Sequence, residues 1–213
     1  MRIISPSLLS ANFKNIEKEI RLLEEAGVDR IHLDVMDGHF VPNLTFGPMM
    51  IKTIRKITDL HLETHLMINN PSDSLDQYIQ AGSDTIIIHL EASKNAQQDL
   101  SYIRQNNVLA GISINPDTNE NRLMPLIHYF DYILIMSVFP GKSGQTFINE
   151  TLQKMKNVVS KMNETNTTIA VDGGVNLNTI KNIYDTGIDI TIVGSGLFKA
   201  LDIRKRYNEL LHA

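Results

Sequence analysis

One feature constrains this chain more than any other: short apolar runs alternate with amphipathic segments along its whole length. Ile3–Pro6, Arg30–Asp34, His61–His65, Thr85–Ile88, Ala110–Ile114, Tyr132–Met136, Ile169–Asp172 and Ile190–Gly194 read as strands. Between them, apolar residues recur at helical spacing and mark one buried face. Phe13, Ile16, Ile20 and Leu23 form one such stripe, with Gly27 as its stop, and Leu152, Met155, Val158, Val159 and Met162 form another. Asn12 is placed to cap the first helix, and Pro71-Ser72 opens the third. Strongly apolar strands separated by helices belong to a parallel sheet, because helices cover both of its faces. About eight strand-helix units fit into 213 residues. The predicted fold is therefore α/β, a single (β/α)8 TIM barrel with parallel strands, in which residues 1–213 form one domain. A doubly wound open sheet is the alternative.

Composition narrows the function classes. Hydrophobic residues make up 42% and charged residues 21% of the chain, the balance of a folded globular protein. A formal net charge of -4 gives no bulk attraction to nucleic acid or anionic lipid, so any anionic ligand must be held by a local device. Without cysteine there is no disulfide framework and no thiolate chemistry. The start, Met1-Arg2-Ile3-Ile4-Ser5-Pro6, lacks a signal peptide's apolar core, and runs such as Tyr132–Met136 are too short to span a bilayer. A cytoplasmic protein with neither nucleic-acid nor membrane partners is expected.

In this barrel, catalytic groups gather at the C-terminal ends of strands. Polar residues that end apolar runs are therefore the ones to weigh: Ser7, His32 and Asp34, His65, His89 and Glu91, Asn115, Asp172, then Gly194 and Ser195. His32 and Asp34, at i and i+2, share one face of their strand, and in a barrel that face can be the lumen. His65 and Asp172 would join them from other strands. Two imidazoles and two carboxylates suit one divalent ion, Zn, Fe, Co or Mn. Alone, a His-x-Asp pair equally fits a surface hydrogen bond or a turn cap. If both carboxylates flank a flat intermediate, Asp34 and Asp172 can remove a proton from one face and return it to the other, with the metal as Lewis acid. That is the chemistry of inverting a carbon beside a carbonyl. The alternative is that both are ligands only.

Three glycine-bearing turns lie late in the chain: Pro140-Gly141-Lys142-Ser143-Gly144-Gln145, Asp172-Gly173-Gly174-Val175 and Val193-Gly194-Ser195-Gly196-Leu197. Strands 7 and 8 of this fold often carry a phosphate site built from backbone N–H groups, and glycine lets the backbone come close to an oxyanion. Tight turns without a ligand are the bland reading. Met36, Met67 and Met136 fall at or just past strand ends; core filler is the default, pocket lining the alternative.

These residues sit in motifs that resemble those of the ribulose-phosphate 3-epimerase family. The longest is His32-Leu33-Asp34-Val35-Met36-Asp37-Gly38-His39-Phe40-Val41-Pro42-Asn43; Pro6–Phe13, His65-Leu66-Met67, Asn115-Pro116, Met136-Ser137-Val138, Gly144-Gln145-x-Phe147 and Val171–Val175 follow the same pattern. The resemblance implies that His32, Asp34, His65 and Asp172 bind the metal and that Asp34 and Asp172 are the acid/base pair. It implies that Ser7 and His65 touch substrate, and that Gly141, Lys142, Ser143, Gly144, Gly173, Gly174, Gly194 and Ser195, with Val175 in the same turn, surround the phosphate. It places Met36, Met67 and Met136 near an enediolate. The implied reaction interconverts D-ribulose 5-phosphate and D-xylulose 5-phosphate, and the implied assembly is a homo-oligomer, a dimer or hexamer.

The sequence also departs from that pattern. The family's loop Asn/Glu-Pro-Gly-Phe-Gly-Gly-Gln is here Phe139-Pro140-Gly141-Lys142-Ser143-Gly144-Gln145. Ala170 replaces a glutamate, and Glu63 replaces an aspartate two residues before the strand 3 histidine. The altered loop leaves another ketose phosphate, such as D-allulose 6-phosphate, as an alternative substrate, with Lys142 facing either phosphate or solvent. A noncatalytic sugar-phosphate-binding barrel is a third reading. A barrel lyase or decarboxylase is disfavoured, because its Asp-x-Lys-x-x-Asp pattern meets His32-Leu33-Asp34-Val35-Met36-Asp37, which has no lysine.

Overall fold

A computed structural model describes residues 2–213. The strands are β1 (Ile3–Pro6), β2 (Arg30–Met36), β3 (His61–Met67), β4 (Thr85–His89), β5 (Leu109–Ile114), β6 (Tyr132–Met136), β7 (Thr168–Asp172) and β8 (Ile190–Val193). All seven neighbouring pairs in the order β1-β8-β7-β6-β5-β4-β3-β2 are parallel. The ring is completed by a single parallel bridge, Ser7 to His32. Every strand start lies within one residue of the sequence expectation. β2 and β3 run two residues further, to Met36 and Met67. His32, Asp34 and His65 therefore stand inside the lumen, not at the strand tips.

The helices are α1 (Ile16–Glu25), α2 (Pro48–Arg55), α3 (Leu75–Gln80), α4 (Ala96–Gln105), α5 (Thr151–Met162), α6 (Ile180–Tyr184), α7 (Ser195–Phe198) and α8 (Ile203–Leu211). Two expectations are corrected. Phe13 is not part of the first helix's buried stripe: the Asn12 side chain accepts from Lys14 N and forms a tight 3-10 turn over Phe13–Asn15, which leaves Phe13 42% exposed. The fifth crossover carries a 3-10 segment, Glu120–Leu126, with Pro125 inside it. Proline has no N–H for an α-helical bond and clashes with the preceding turn, so the segment stays tightly wound.

The core has two shells. Between strands and helices lie Ile20, Leu23, Ile51, Ile54, Leu100, Ile103, Met155 and Val158, with the outward strand residues Ile31, Leu33, Leu62 and Leu66 against them. Each fully buried aliphatic side chain of this kind contributes about 1.5–3 kcal/mol. Inside the barrel a smaller apolar cluster holds Ile87, Tyr132, Leu134, Ala170, Ile190 and Ile192. These plug the lower lumen and form the floor of the polar site above.

Candidate active site and metal centre

The parallel register sets the site. His32 pairs with Glu63 and Asp34 with His65 across β2 and β3, while Met136 pairs with Asp172 across β6 and β7. Cα partners in a parallel pair face the same side, so all six project into the lumen. One ligand atom each from His32, Asp34, His65 and Asp172 lie within 4.8 Å of one another. His32 Nε2 is 3.5 Å and His65 Nδ1 is 3.4 Å from Asp34 Oδ1. Ser7 Oγ donates to Asp34 Oδ2 at 2.5 Å.

Behind these groups stands a further polar layer. Glu63, fully buried, accepts from Ser5 Oγ at 2.6 Å and from Arg30 Nη1 at 3.1 Å, and its Oε2 is 3.5 Å from His32 Nδ1. Ala170, across the lumen, is fully buried among apolar side chains. The carboxylate behind His32 thus comes from β3, with Ser5 and Arg30 as its partners. His65 Nε2 meets His89 Nε2 at 2.8 Å, and His89 Nδ1 lies 3.3 Å from Glu91 Oε2.

Burial and charge drive the ionisable groups apart. Burial disfavours the charge on His32, but the carboxylates of Asp34 and Glu63 outweigh it and raise His32 to about 10. Burial lowers His65 to about 3, with the His89 and His32 rings adding to it against the pull of Asp34. Burial acts against the ionised form of Asp34, yet His32 and His65 hold that carboxyl well below the usual carboxylate range. Asp172 moves the other way: burial, reinforced by the negative charge of Asp34, raises it to about 7. Two carboxyls with environments of opposite effect are the arrangement from which acid and base roles are assigned.

The residues fit a divalent cation. Among the described residues, His32 Nδ1, His32 Nε2 and His65 Nδ1 are buried ring nitrogens without a hydrogen-bond partner. Orphaned buried polar atoms cost free energy, and a cation among them removes that cost. Nitrogen and oxygen donors in this ratio suit zinc, iron, cobalt or manganese.

Above the cluster opens a pocket whose wall includes Ser7, Asp34, Met36, Met67, Met136, Gly141, Lys142, Ser143, Gly144, Asp172, Gly173, Gly174, Val175, Gly194 and Ser195. His32 and His65 are fully buried beneath it and are not in its wall. The three methionines are only 2% exposed and still line the pocket, so filler and lining are one role here. Leu9, Val138, Pro140, Gln145 and Ile192 also line it, beyond the residues that the sequence assigned to substrate. Gln145 had a signal in its loop position: its Nε2 donates to Phe139 O at 2.7 Å and Lys142 O at 3.1 Å and pins that loop. The Gly173-Gly174 turn has a steric origin. At φ 122° and 66°, added Cβ atoms would come within 2.5 Å of Val138 Cγ2 and of Phe147 N.

Comparison with known proteins identifies the family. The model of the Ribulose-phosphate 3 epimerase family matches residues 3–198. The ribulose-phosphate 3-epimerase of Chlamydia pneumoniae is 40% identical over 202 residues, covering 93% of this chain and 88% of that protein. The Bacillus subtilis enzyme of the same name is 37% identical over 210 residues, covering 97% of each chain. In fold, the chain is similar to 3-hexulose-6-phosphate synthase from Salmonella typhimurium, with a TM-score of 0.74 and 19% identity over 100% of this chain and 97% of that one. A family match over this length, with relatives of this identity along nearly their whole chains, makes this an isomerase-class enzyme that belongs to the ribulose-phosphate 3 epimerase family.

Proposed function

We propose that the chain inverts C3 of D-ribulose 5-phosphate to give D-xylulose 5-phosphate, with Asp34 and Asp172 as the two proton-transfer groups. The observation that carries this is their placement: both carboxyls belong to the His32, Asp34, His65 and Asp172 cluster, both stand in the pocket wall, and in the metal-free protein Asp34 is held ionised while burial and the Asp34 charge raise Asp172. One group is ready to accept a proton and the other to donate one. Asp34 takes the C3 proton from one face of the sugar. Asp172 delivers its proton to the opposite face, and the reverse reaction exchanges the roles. No net redox change occurs, and each carboxyl ends in the protonation state the other began with.

His32, Asp34, His65 and Asp172 would hold one divalent ion, zinc, iron, cobalt or manganese, which supplies Lewis-acid polarisation of the ketose carbonyl when bound. Met36, Met67 and Met136 exclude water from the reacting carbons, which strengthens every electrostatic interaction there. Ser7, through its hydrogen bond to Asp34 Oδ2, orients that carboxylate. The turns at Gly144, Gly173-Gly174-Val175 and Gly194-Ser195 receive the phosphate through backbone N–H groups, with the first N–H groups of α7 unpartnered within that helix. Gly141, Lys142 and Ser143 complete that wall.

A second substrate rests on the altered loop: Lys142 and Ser143 stand in the pocket wall, and Ser143 Oγ is 2.6 Å from Ser10 Oγ across the pocket mouth. A coupled epimerase assay on D-ribulose 5-phosphate and D-allulose 6-phosphate, each with and without chelator, separates the readings. Faster turnover of the pentulose, lost with chelator, is expected. Preference for the hexulose replaces the substrate assignment, and activity unaffected by metal removal removes the metal from it.

A further inference from the structure

The second-layer pair His89 and Glu91 takes no part in the chemistry above, yet it touches a ligand histidine. His65 and His89 are both fully buried. Their rings are 25° from coplanar with centroids 4.9 Å apart, and their Nε2 atoms are 2.8 Å apart. That is edge-to-edge contact, so one hydrogen lies between the two nitrogens and only one of them carries it. A neutral imidazole has a single N–H, and its other nitrogen is an acceptor.

Glu91 decides which. Its Oε1 accepts from Asn115 N at 2.8 Å and from Thr118 Oγ1. Its Oε2 faces His89 Nδ1 at 3.3 Å. A carboxylate only accepts, so His89 Nδ1 carries the hydrogen, and in the neutral ring His89 Nε2 is then the bare nitrogen. His89 Nε2 then accepts, so His65 Nε2 is the donor and His65 Nδ1 is left as a lone pair. That lone pair points at Asp34 Oδ1, 3.4 Å away, where no hydrogen separates two acceptors. A cation suits that gap.

We infer that Glu91, acting through His89, is a positioning residue for the metal centre: it fixes His65 in the Nε2–H tautomer that offers Nδ1 to a divalent ion. Support of a ligand histidine by a carboxylate is a general feature of metal sites; here it passes through a second histidine, whereas His32 has Glu63 directly behind it. The inference rests on the proposed metal centre.

Glu91→Gln tests it without changing shape. Because Oε1 is held by two donors, the glutamine oxygen takes that place and the NH2 group faces His89 Nδ1. His89 then becomes an acceptor there, its hydrogen moves to Nε2, and His65 is driven to the Nδ1–H form. The metal-free protein with 15N-labelled histidine is read by long-range N–H correlation, and Co2+ affinity is measured by titration of its visible absorption. The wild type is expected to show His65 protonated on Nε2, and E91Q on Nδ1, with Co2+ bound about 10–100-fold more weakly. E91Q binding Co2+ as tightly as the wild type overturns the inference, as does a wild-type His65 protonated on Nδ1, a result that stands even if E91Q does not fold. Wild-type protein that binds no Co2+ instead sinks the metal reading on which it rests.

Discussion

At the residue scale, Asp172 combines a catalytic assignment with a measurable energetic signature. Its ordinary value is 3.8, and the folded metal-free protein raises it to about 7. Stability from the neutral form is thus fully present below about pH 4 and is lost as pH rises through 7, because the folded state must then hold a second anion beside Asp34. Asp172→Asn removes that anion. It should reduce epimerisation by about 10²–10⁴-fold, the usual contribution of a positioned proton-transfer group. With chelator present at pH 8, the same variant should be more stable than wild type by up to about 4 kcal/mol in denaturant titrations, and the difference should vanish below pH 4. Equal stability at both pH values would remove the electrostatic basis for the acid role. The four residues of the cluster were legible in the sequence, because His32 and Asp34 share a strand face at i and i+2 and because the surrounding motifs resemble a known family. The burial of His65 and its link to His89 and Glu91 were not. They depend on how β3 lies against β4, and no spacing within one strand encodes that register.

At the scale of elements, the polar residues that marked the strand ends also caused the misreading of their lengths. Asp34 and His65 look like terminators by composition, but a barrel can bury them in its lumen, and the apolar Val35-Met36 and Leu66-Met67 continue each strand. The fifth crossover departs from the general strand-helix alternation expected along the chain, because Pro125 denies a hydrogen bond that an α-helix needs there. The β7-α6 turn was legible as glycine-rich, although its cause lies in β6 and the loop after it. Gly173 presses on Val138, with the side chain at 2.5 Å and the backbone nitrogen at 2.8 Å from an added Cβ, at φ 122°. Gly173→Ala should therefore cost more than about 1 kcal/mol of stability and weaken substrate binding more than the chemical step. Thermal melts and the split between KM and kcat check this; a variant with wild-type melting and wild-type KM would mean that the turn adapts freely.

At the scale of the molecule, net charge is -4, so the phosphate of the proposed substrate has to be met locally, and the glycine turns in the pocket wall are the groups proposed to meet it. The family follows from residues 3–198 as a whole, whereas the proposed substrate turns on the loop from Phe139 to Ser143, most of which stands in the pocket wall. No helix among the described residues is long and apolar enough to cross a membrane. The central claim, one carboxyl removing the C3 proton from one face while the other delivers its own proton to the opposite face, is tested most directly in D2O. Metal-loaded protein incubated with D-ribulose 5-phosphate should place one solvent deuterium at C3 of both the ribulose and the xylulose ester, and neither Asp34→Asn nor Asp172→Asn should form the epimer at more than a small fraction of the wild-type rate. Wild-type protein that exchanges no C3 proton of any ketose phosphate would contradict the claim.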